Sequence, residues 1–117
     1  MDSAIDAATM ANLLDITGGD QGFVDELVDT YIAEGERIVG ELDAAAAAGS
    51  VPDLVRPAHS LKSSSLNVGA LQLGELCRQL EHDALGGAVA DPVARASEVK
   101  TAFDAARAAL LDERTSR

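Results

Sequence analysis

Apolar residues recur at helical spacing through most of this chain, and no stretch alternates with period two over a useful length. The pattern therefore predicts helices and gives strands little support. Ser3 is placed to cap a short first helix reaching about Leu14, with Asp6 three residues on as a capping-box partner. Thr17-Gly18-Gly19-Asp20 breaks it. From Asp20 a long periodic segment follows, with Phe23, Leu27, Tyr31, Ile38 and Leu42 on one stripe and Val24, Val28, Ile32 and Val39 on the next. So wide an apolar face belongs to a helix with several neighbours. Ala44 to Ala48 reads as the end of that helix, stopped at Gly49.

Ser50 is an expected N-cap for the next helix, with Pro52 and Asp53 in its first turn. Pro57 predicts a bend or loosened turn just ahead of residue 59. Beyond it, Leu54, Ala58, Leu61, Ser65 and Val68 form an inward stripe, while Val55, His59, Lys62, Ser63 and Leu66 are rotated toward solvent. Gly69 marks a break, after which Leu73, Leu76, Cys77, Leu80 and Ala84 repeat with helical period up to Gly86-Gly87. Asp91-Pro92 starts the last helix, whose core positions are Ala96, Val99, Phe103, Ala106 and Leu110. Residues 113–117 are expected to fray. The prediction is one all-α domain over residues 1–117, an up-down antiparallel four-helix bundle with a short additional N-terminal helix.

Composition narrows what such a bundle does. With 117 residues there is room for one core and none for a nucleotide-binding domain beside it. Hydrophobic residues make up 47% of the chain and aromatics 3%, so the apolar mass is alanine, leucine and valine, the material of helix packing. A formal charge of −11 argues against nucleic acid and anionic membranes as partners. Neither a membrane-spanning run nor a basic start typical of a signal peptide is present, and Cys77 is the single cysteine, so a cytoplasmic location is expected.

The candidate chemistry lies in Ala58-His59-Ser60-Leu61-Lys62-Ser63-Ser64-Ser65-Leu66-Asn67-Val68-Gly69-Ala70. On a helix His59 and Lys62 share a face, with Ser63 one turn beyond the histidine. Neutral imidazole is a competent nucleophile near pH 7, and a nearby ammonium balances phosphoryl oxygens in a loose transition state. The run resembles the signature of histidine-containing phosphotransfer (HPt) domains, His-x-Leu-Lys-Gly-Ser-Ser/Ala followed by Gly-Ala/Leu. The earlier Gly19-Asp20, Phe23 and Glu26-Leu27 are similar to that family's N-terminal pattern. Ser63 departs from it, standing where the family usually has glycine.

The resemblance implies that His59 accepts a phosphoryl group at Nε2 from a receiver-domain aspartyl phosphate and passes it, reversibly, to another receiver. Its partners would be response-regulator receiver domains and a hybrid or separate histidine kinase. Mg²⁺ would come from the receiver, and the chain would carry no cofactor of its own. Glu81 matches a position where the family commonly carries Gln or Glu that orients the histidine, its bland alternative being a solvated charge. Arg78, one turn before Glu81, is a further candidate or merely its ion partner, and Ser63 and Ser64 are possible donors. Leu13, Leu14, Val55 and Leu66 are the expected docking residues. No phosphate-binding loop or kinase motif occurs, so ATP-dependent self-phosphorylation is not expected. The alternative is a non-catalytic helical adaptor or kinase-inhibitor module, which Ser63 favours and His59 with Lys62 disfavour. A metal site built from His59, Cys77, Glu81 and His82 is not expected, because Cys77 and His82 stand five residues apart.

Overall fold

A computed structural model describes residues 4–115. Five helices follow one another: α1 (Ala7–Ile16), α2 (Gln21–Ala47), α3 (Val55–Asn67), α4 (Leu71–Leu85) and α5 (Pro92–Thr115). The last four close into a ring in which α2 packs on α3, α3 on α4, α4 on α5 and α5 on α2. Cross-helix contacts give the directions. Gly35 meets Phe103 near the middle of the α2–α5 pair, whereas Arg114, near the end of α5, reaches Asp29 near the start of α2. These neighbours therefore run antiparallel, as the short connections require. The long dimension of 43 Å agrees with the roughly 40 Å expected of a 27-residue helix at 1.5 Å per residue.

Helix ends follow side-chain chemistry. Asp20 accepts the Phe23 N–H and starts α2, and Asp91 accepts the Ala94 N–H with Pro92 at the first helical position of α5. The first helix differs from expectation. Asp6 is its cap, accepting the Thr9 N–H and hydroxyl, and the helix runs on to Ile16. Ser3 lies outside the described residues. Ser50 does not cap α3 either, because its hydroxyl donates to the Asp53 carboxylate. A 3₁₀ turn at Pro52–Leu54 precedes α3 instead, and the N–H that Pro57 lacks falls in the first turn of α3, where no intrahelical partner is required. At the other end α5 is helical to Thr115, and the Arg114 guanidinium bonds Asp29 Oδ1 at 2.9 Å and the Asp25 carbonyl at 2.7 Å. Residues 116 and 117 lie outside the described residues.

The core stripes on α3, α4 and α5 are buried as the periodicity requires, Leu76 only in part. Leu42, Leu54 and Leu61 are 0% exposed, and truncating any one to alanine would cost about 2–5 kcal/mol. On α2 the buried stripe is Val24, Val28, Tyr31, Ile38, Val39 and Leu42, and Phe23 stands exposed beside the helix start. Gly35 sits in the stripe because Phe103 packs directly on it; a Cβ there would lie 2.2 Å from Phe103 Cε1. Gly69, with φ +83°, serves two ends at once. It turns the chain from α3 into α4, and its carbonyl accepts the Asp6 N–H at 2.7 Å, so α1 is fastened to that turn.

Candidate functional site

The site grows out of the way α3 is buried. Leu54, Ala58, Leu61 and Ser65 point inward, which fixes the helix rotation and carries His59 and Ser63 to the outside. Glycine sets how near α4 lies. At Gly74 a Cβ would stand 2.6 Å from Leu66 Cδ2, so the absence of a side chain lets the two helices approach closely. That approach brings Glu81 of α4 beneath His59 and Lys62.

Glu81 holds both residues. Its Oε2 lies 2.6 Å from His59 Nδ1, and its Oε1 accepts from Lys62 Nζ at 2.6 Å. The Glu81 side chain is only 13% exposed, the Lys62 side chain 24% and the His59 side chain 59%. The Lys62 hydrogen bond is the main cause holding the Glu81 carboxyl below the usual carboxylate range. Partial burial opposes it and the bond to His59 assists. An ionised carboxylate only accepts, so the proton of a neutral imidazole sits on Nδ1 and the lone pair on Nε2. Nε2 has no hydrogen-bond partner among the described residues.

The other expected site residues are placed unevenly. Ser63 is exposed one turn from His59. Ser64 turns back and donates to the Ser60 carbonyl at 3.1 Å, as serine often does within a helix. Arg78 pairs with Glu75 one turn behind it rather than with Glu81 one turn ahead, because both Glu81 oxygens are engaged by α3. Leu13 and Leu66 line a groove of about 660 Å³ between α1, α2 and α3, which runs along the Ser60–Ser64–Asn67 flank of the histidine helix. Leu14 and Val55 do not line it; they are half-buried against the core. Sequence periodicity missed Ile16 and Leu27 as groove residues, although Leu13 and Ile16 are spaced i,i+3 on α1. It also missed the partner of Ser65, whose buried hydroxyl lies 2.8 Å from the Tyr31 hydroxyl of α2.

Among the described residues, no three His, Cys, Asp or Glu side chains converge as a metal-binding group. Cys77 is fully buried and its thiol is pushed up to about 12 by burial. No described helix is long and apolar enough to cross a membrane.

Comparison with known proteins agrees with this geometry. The Hpt domain family matches residues 26–109, which span the signature run and Glu81. The chain is also similar to the crystal structure of histidine-containing phosphotransfer protein B (HptB) from Pseudomonas aeruginosa PAO1. The TM-score is 0.89 at 27% identity, over 100% of this chain and 99% of that one. No curated protein sequence matches. With the family match covering most of the chain, this protein belongs to the histidine-containing phosphotransfer (Hpt) family and is a histidine phosphotransfer protein of a phosphorelay.

Proposed function

We propose that His59 Nε2 is the phosphoryl carrier, charged by the aspartyl phosphate of one receiver domain and discharged to the aspartate of another. The observation that carries this reading is the Glu81 bond to Nδ1, which leaves the opposite nitrogen unpartnered on an exposed ring. In the charging step the Nε2 lone pair forms a P–N bond as the P–O bond of the acyl phosphate breaks, and the receiver aspartate leaves as carboxylate. The proton stays on Nδ1, and the imidazolium that results faces the Glu81 carboxylate. The reverse step needs no further co-reactant, so direction follows the phosphorylation levels of the two receivers.

Lys62, held by Glu81 on the α4 side, supplies positive charge beside the phosphoryl oxygens. The receiver contributes Mg²⁺ and the acidic pocket, and a hybrid or separate histidine kinase stands upstream in the cytoplasm. Docking centres on the groove edge at Leu13, Ile16 and Leu66, apolar with a polar rim.

The test is transfer from a phosphorylated receiver to the wild-type chain and to His59→Gln. Alkali-stable, acid-labile label that is absent from the variant supports the carrier reading. No label from any of several receivers would replace it with the adaptor reading.

A further inference from the structure

We infer that Arg56 binds the phosphoryl group carried by His59, reaching it from the groove side of α3. The inference rests on His59 being the carrier. At 100° per residue, position 56 lies about 60° from His59 around the helix and Ser63 about 40° to the same side; Lys62 lies about 60° to the other. Lys62 marks the α4 side, because it meets Glu81 there. Ser60 and Ser64 mark the opposite side, because they line the groove. Arg56 is thus the cation on the flank from which a docked partner would approach. Positions 56 and 59 are i,i+3 neighbours, about 5–6 Å apart at Cβ, a gap within the reach of a long arginine side chain.

The second observation is that this guanidinium is unoccupied. Among the described residues every other Lys or Arg except Lys100 is in an ion pair: Arg37 with Glu34 and Glu41, Lys62 with Glu81, Arg78 with Glu75, Arg95 with Asp83, Arg107 with Glu36, and Arg114 with Asp25 and Asp29. Arg56 is exposed and has none, in a chain of net charge −11. Two carboxylates share a shallow cavity with it, Glu41 and Asp53, yet both are committed elsewhere. Glu41 accepts from Arg37, and Asp53 accepts from the Ser50 hydroxyl at 2.7 Å. A cation in the first turn of an α-helix also opposes the helix dipole, so its placement is not accounted for by the stability of α3. A dianionic phosphoryl group on Nε2 supplies the missing partner, and a guanidinium fork suits its oxygens.

Chemical phosphorylation by phosphoramidate tests this without any receiver. The P–N bond of the reagent breaks, ammonia leaves, and the P–Nε2 bond forms on His59. Arg56→Ala is expected to lower the rate of labelling and shorten the half-life of the phosphohistidine, together by about fivefold, with partial recovery in Arg56→Lys. Lys100→Ala, the other unpaired cation, is the control and should match the wild type. Equal labelling and equal half-life in wild type and Arg56→Ala would overturn the inference, even if transfer from a receiver slowed, since the arginine would then act on the partner. A wild-type chain that takes no label at His59 would overturn the carrier reading beneath it, an outcome separable from an effect confined to Arg56.

Discussion

Two polar contacts reach α3 from opposite neighbours, and their difference divides the molecule into a part that holds its shape and a part proposed to react. From α2, the Tyr31 hydroxyl meets Ser65 in full burial, two neutral groups satisfying each other where water does not reach. From α4, Glu81 meets His59 and Lys62 at the edge of the bundle, two titratable groups sharing one carboxylate. The buried pair gains little from forming but costs much if half of it is removed. The trio is ionic and keeps its imidazole 59% exposed, which suits a group proposed to change charge during transfer. The same helix supplies both because residues 59 and 65 fall about 120° apart around it, one exposed and one buried.

The largest effect that sharpens this contrast is expected in alkali. Burial is the main cause pushing the Tyr31 phenol up to about 12 from an ordinary 10, and the Ser65 hydrogen bond opposes it only in part. A raised folded value means the stabilisation is complete below pH 10 and is lost as pH climbs from there toward 12, about 3 kcal/mol in all. Tyr31 is the single tyrosine and there is no tryptophan, so phenolate absorbance reads this group alone. Denaturant stability of wild type minus Tyr31→Phe should fall across that window. Phenolate appearing at pH 10 in the folded protein would remove the distinction between the two contacts.

Ser65→Ala comes next. It strands the Tyr31 hydroxyl and should cost about 2 kcal/mol in urea unfolding while leaving phosphoramidate labelling of His59 unchanged. Glu81→Gln should weigh the other way, slowing labelling about tenfold while lowering the unfolding midpoint at neutral pH by less than Ser65→Ala does. Because the Glu81 carboxyl is held low, its contribution to stability is present above the ordinary carboxylate pKa and is lost as pH falls through the lowered folded value. The wild type minus Glu81→Gln difference should therefore shrink below about pH 4. Smallest of all is Arg78→Ala. This residue pairs only with exposed Glu75, and neither labelling nor unfolding midpoint should move measurably.

Most of the bundle was readable from periodicity, because burial of α3, α4 and α5 depends on one stripe each and nothing competes with it. Departures occur where a local signal had two possible users. Ser50 had the chemistry of a cap, but Asp53 three residues on took its hydroxyl. Asp6 lay in reach of the Thr9 N–H and became the cap of α1. Phe23 has the size of a core residue, yet it lies off the Val24–Val28–Tyr31 stripe that faces the core and stands exposed. Within the site, His59 and Lys62 were legible because i,i+3 spacing is a property of one helix. Glu81 depends on the register between two helices, which Gly74 sets through its contact with Leu66, and it entered only through family resemblance. The Tyr31–Ser65 pair, 34 residues apart in sequence, left no local signal, and neither did the vacancy of Arg56, which is defined by what its neighbours are doing.

The bond from the Asp6 amide to the Gly69 carbonyl joins the outer wall of the groove to the turn that ends the histidine helix. The outer wall of the groove is therefore anchored on the same residue that sets where α4, and with it Glu81, begins.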